Sequence, residues 1–80
     1  MKIPAIKKAV EIHSLEDLRA AEAALYEELE LLIEIEGADE GEKLTHILAA
    51  IAIKEEIEKN GTGFKDALRA YTQRVRNSIN

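Results

Sequence analysis

The 80-residue chain contains no cysteine. Disulfide staples and thiolate zinc sites are therefore excluded, and the composition fits a reducing, cytoplasmic setting. A long apolar run is missing too. The densest stretch, "LTHILAAIAI" at residues 44–53, is broken by Thr45 and His46 and is far too short to cross a bilayer. The opening "MKIPAIKKAVEIH" has no apolar core of the length a secretory signal needs. The expectation is a soluble, cytoplasmic, non-secreted protein with no membrane partner. No Gly-x-Gly-x-x-Gly occurs, no serine sits in a nucleophile elbow, and "GTG" at 61–63 is too short to cradle a phosphate. The sequence thus points away from an enzyme and offers no cofactor site.

What is present is one domain, residues 1–80. A chain of this size buries only a little over ~60% of its unfolded surface. Its stability is then about 4–12 kcal/mol. Domains so small usually rely on a staple. Without thiols, that leaves association or a carboxylate–imidazole metal site.

Net charge is −5, unevenly spread. Residues 1–13 are net +2 and residues 61–80 net +3, whereas residues 14–60 carry fourteen acids against four bases, net −10. Basic ends lying against an acidic middle, within or between chains, explain this better than nucleic-acid binding, which wants a concentrated basic face. The C-terminal helix also begins with Gly63–Phe64 and carries its arginines late, unlike a recognition helix.

Periodicity predicts four helices, at about 3–12, 15–28, 41–59 and 63–78. Pro4 suits a first turn, and Ile3, Ile6 and Val10 make a narrow apolar stripe. Ser14 reads as an N-cap with Asp17 at the capping-box position, and His13 before it as a linker. Leu15, Leu18, Ala21, Leu25 and Leu29 form the next buried face, and alanines at 20, 21, 23 and 24 allow close helix approach. The third helix has apolar residues on two sides, Leu44, Ile47, Leu48 and Ile51 against His46, Ala50, Ile53 and Ile57. Such a helix is central, and one short chain has little material to cover it. Asn60–Gly61 is a helix stop, Thr62 a candidate cap for the last helix, and Phe64, Leu68, Tyr71, Val75 and Ile79 its stripe.

Residues 31–36 alternate: Leu31, Ile33 and Ile35 point one way, and Leu32, Glu34 and Glu36 the other. This predicts one short strand. No second strand candidate exists, so the strand is expected to pair with its own copy across a two-fold axis. The expected dimer interface is Leu31, Ile33, Ile35, Ile53, Ile57 and Tyr71.

The stretch "EGADEGEKLTH" at 36–46 gathers four carboxylates, two glycines and a histidine. Glu42 and His46, four apart, share a helix face and with Asp39 or Glu40 could form an oxygen-and-imidazole metal site. A di-iron bundle would need Glu-x-x-His twice; here Glu-x-x-x-His occurs once. The stronger reading is a helix entrance, with acids at the positive end of the dipole and His46 a hydrogen-bonded inner residue.

The stretches "MKIPAIKKAVE", "EIEGADEGEKLTHILAAIAIKEEIEKNGT" and "FKDALRAYTQRVRNSI" resemble a family of small bacterial proteins of about this length, catalogued only as a domain of unknown function. The glycine turn entering "GEKLTHILAAI" carries most of the likeness. The resemblance places a larger, often aromatic, residue where Ala52 stands, which implies looser packing here. It implies a cytoplasmic protein and supplies no activity. Taken together, the expectation is a mainly α, homodimeric, non-catalytic structural or protein-interaction module. The competing class is a small ligand- or metal-binding protein using Glu42 and His46.

Overall fold

Four helices account for most of the chain in the computed structural model, which describes residues 2–79 and the side chains of residues 2–77. They are α1 (Ile3–Ile12), α2 (Leu15–Tyr26), α3 (Glu40–Asn60) and α4 (Phe64–Ile79). The first matches its expected bounds, and the others start or stop within two residues of theirs.

α3 is the hub: α1, α2 and α4 each pack on it. Its buried residues are His46, Ile47, Ala49, Ala50, Ile51 and Ile53. Two-sided hydrophobicity therefore does mark a central helix, but three helices of the same chain do the covering. One short chain thus does have the material to cover α3. α1 presents Ala5, Ile6, Ala9 and Val10 to the core, with Ile3 half exposed. Two contacts align α1 with α3: the Lys2 amide meets His46, and the Lys54 ammonium donates to the Val10 carbonyl at 3.1 Å. Both partners advance by eight residues, so α1 and α3 run in the same direction. Lys54 also places a cation on a carbonyl in the last turn of α1, where the dipole favours one.

The ends of α2, the end of α3 and the start of α4 each have a readable cause. The Ser14 hydroxyl accepts from the Asp17 amide, capping α2. α2 stops two residues before its expected end. Glu28 there adopts φ 58°, and the Leu29 and Glu28 amides return to the Ala24 and Leu25 carbonyls at 2.8 and 3.2 Å. That pair of bonds is a Schellman closure with glutamate in the glycine position, which sequence pattern does not reveal. α3 ends as expected, with Gly61 at φ 67° and its amide on the Ile57 carbonyl. α4 departs from expectation at its start. The Gly63 carbonyl accepts the first helical bond, from the Ala67 amide, so the cap is Gly63 and not Thr62, whose buried hydroxyl has no partner.

The expected strand at 31–36 does not form: among the described residues no strand is present. The segment bends at Leu32 and Ile33 instead, yet its alternation of inward and outward side chains is real. Leu31, Ile33 and Ile35 turn toward the core while Leu32, Glu34 and Glu36 face out. Its carbonyls find side-chain partners in place of a neighbouring strand.

Candidate functional site

Both histidines of the chain hold this segment. His46 is fully buried. One ring nitrogen, Nε2, accepts from the Lys2 main-chain amide at 2.9 Å, and the other, Nδ1, lies 2.7 Å from the Glu36 carbonyl. A carbonyl only accepts and an amide only donates, so the geometry requires the neutral ring with its proton on Nδ1. His13, half-buried at the end of α1, uses Nε2 to donate to the Glu34 carbonyl at 3.1 Å. His13 is thus a clamp and not the plain linker that its place before Ser14 suggests. Nothing in the sequence near it signals that role, because its partner is 21 residues away.

Asp39 and Glu42 act on main chain as well. The Asp39 carboxylate accepts from the Glu42 amide at 2.8 Å, capping α3. The Glu42 carboxylate reaches back to the Ala38 amide, also at 2.8 Å. This is a capping box displaced by one residue. The Ala38 amide, ahead of the nearby positive charge of Lys2, holds the Glu42 carboxyl below the usual glutamate range, against the opposing pull of desolvation. Gly37 is required by a close approach: a β-carbon there would lie 2.7 Å from Lys43 Cγ and 2.9 Å from the Lys43 amide nitrogen.

A cleft of about 580 Å³ opens beside this cluster, lined among others by Lys2, Glu36, Glu42 and His46. Glu42 and His46 do share it, as their spacing predicts. Asp39, the third candidate ligand, is exposed and caps the helix. A metal ion at His46 would have to displace the Lys2 amide or the Glu36 carbonyl. Among the described residues no three histidine, aspartate or glutamate side chains are grouped to hold one.

A second concavity, about 470 Å³, lies between α2 and residues 29–33. Ala20, Ala23 and Ala24 line it from α2, and Leu29, Leu32 and Ile33 from the segment, with Asp17, Glu27 and Glu30 among its residues. Leu32 is 96% exposed and Leu29 60%. Sequence alternation already turned Leu32 away from the core; the early stop of α2 is what frees Leu29.

The family model of DUF6952 matches residues 1–80. The chain belongs to this family of unknown function. No curated protein and no solved structure matches it. In this DUF6952 member, Ile53 is fully buried and Ile35 nearly so, both inside the single chain. Leu31, Ile33, Ile57 and Tyr71 are partly buried and pack against the same core. Of the six residues expected at a dimer interface, these four retain surface to offer. Ala52 is half-buried and borders a charged groove with Arg19, Glu55 and Arg74. Arg19 pairs there with Glu55 at 2.5 Å. No helix among the described residues is long and apolar enough to cross a membrane.

Proposed function

We propose that the protein is a non-catalytic homodimeric module whose role is to present surfaces to proteins, its own copy first. The observation that carries this reading is the open apolar groove with Leu29 and Leu32 at its edge. Exposed apolar patches of this kind mark interaction sites. Total area supports the same conclusion. The chain exposes 5452 Å², whereas a compact monomer of 8.9 kDa exposes about 4,800 Å². The surplus, about 650 Å², approaches the roughly 800 Å² that each partner buries in a standard interface.

The same reading accounts for the candidate ligand cluster. Glu42 and His46 are occupied in fixing Ala38, Lys2 and Glu36, which is a folding task. Light scattering on a sizing column tests the proposal. A mass of two subunits at tens of micromolar supports it; a single-subunit mass across that range removes it.

A further inference from the structure

We propose that α4 of one copy lies in the groove between α2 and residues 29–33 of a second copy, and reciprocally, so that two identical joints close the dimer. This rests on the dimer reading above and adds to it the surfaces that meet.

The floor of the groove dictates its occupant. Ala20, Ala23 and Ala24 project little, so a helix axis can come close. Leu29, Leu32 and Ile33 stand along one side and need apolar side chains against them. α4 has such side chains to spare. Its stripe of Phe64, Leu68 and Tyr71 is only half-buried against α3, and Val75, one turn on, is 40% exposed. Ala67 is its one described side chain that is fully covered. α4 therefore has one flank on α3 and one flank free.

Charge chooses between the possible self-contacts. Residues 15–34 carry seven acids against Arg19, net −6. α4 carries Lys65, Arg69, Arg74 and Arg76 against Asp66, net +3. Placing α2 on its own copy would set Asp17, Glu27 and Glu30 against the same acids, and like charges brought together across an interface cost several kcal/mol. Placing α4 in the groove brings Lys65 and Arg69, both exposed, toward that acidic rim. A two-fold axis repeats the joint, making the contact closed rather than open-ended.

The area also fits. One joint alone covers only the groove or the stripe of a given chain; two reciprocal joints cover both on each chain, in keeping with an interface of standard size.

The test uses two charge-reversed full-length chains and one apolar variant, with fold followed by circular dichroism and mass by sedimentation velocity. Glu27→Lys/Glu30→Lys and Lys65→Glu/Arg69→Glu each place like charges in both joints, and each is expected to weaken dimerisation about tenfold or more. Mixed together they form one joint with reversed charges and one of native sign, so a heterodimer is expected at close to native affinity. Leu32→Asp, at a site already in water in the single chain, is expected to leave the helical spectrum unchanged and yield monomer. A dimer that survives all three variants, or a mixture that stays monomeric, overturns this interface while leaving dimerisation standing. A wild-type chain that is itself monomeric overturns both.

Discussion

His13 and His46 donate to carbonyls two residues apart on one segment, those of Glu34 and Glu36, at 3.1 and 2.7 Å. A segment without a neighbouring strand must place its polar main-chain groups somewhere, and in this protein two imidazoles take the Glu34 and Glu36 carbonyls. His46 does more, because its other nitrogen accepts the Lys2 amide and so ties the start of α1 to the same point. Replacing His46 by alanine strands an amide and a carbonyl and opens a cavity. The expected loss is about 2–4 kcal/mol, a large share of the roughly 4–12 kcal/mol available. His13→Ala, at a less buried bond, is expected to cost under about 1.5 kcal/mol. Urea unfolding of the two variants measures both; equal losses would contradict the distinct roles.

Glu42 should make the start of α3 sensitive to acid. Its folded carboxyl lies below the ordinary value of 4.5, chiefly because the charged form accepts from the Ala38 amide. A depressed carboxyl contributes stability that is present above the unfolded value and is lost as pH falls through the folded one. Stability measured from pH 6 downward should therefore fall less steeply in Glu42→Gln than in the parent. Parallel curves would show that the bond to Ala38 does not favour the charged form of Glu42.

Glu28 holds a left-handed conformation, φ 58°, that costs an L-residue with a β-carbon about 1–2 kcal/mol. Glu28→Gly is expected to raise stability by about 0.5–1 kcal/mol, after allowing for the extra freedom of the unfolded chain. Gly61→Ala, at φ 67°, is expected to lower it by about 1 kcal/mol. Thermal melts of the pair should move in opposite directions.

Gly37→Ala is expected to destabilise by about 1–3 kcal/mol, since the new methyl meets main-chain atoms of Lys43 that cannot rotate away. Chemical denaturation reads this directly. A neutral result would mean that the turn into α3 shifts at little cost.

Much of this architecture can be read from residue order because its causes are local. Pro4, the Ser14 cap and the Asn60–Gly61 stop each act within a few positions, and the helices they bound appear where expected. The hydrophobic alternation at 31–36 was legible for the same reason, down to Leu32 facing out. What pattern could not supply was the partner of that segment. Its hydrogen bonds come from His13 and His46, which are 21 and 10 residues from the carbonyls they serve, and a lone extended run then resembles an unpaired strand. Glu28 in the glycine position of a helix stop was equally hidden, because no glutamate advertises a left-handed backbone. In the candidate site, the shared face of Glu42 and His46 followed from their spacing. Their engagement with Ala38, Lys2 and Glu36 depended on the packed fold.

Both tethers between α1 and α3 join residues 44 positions apart. On the ribosome, at about 5–20 residues per second, α1 is made seconds before the residues of α3 that hold it. A ten-residue helix is too short to persist unaided, so α1 needs α3 to hold it. Docking of α1 on α3 is thus expected to be a late step, possible only once Lys54 has been added.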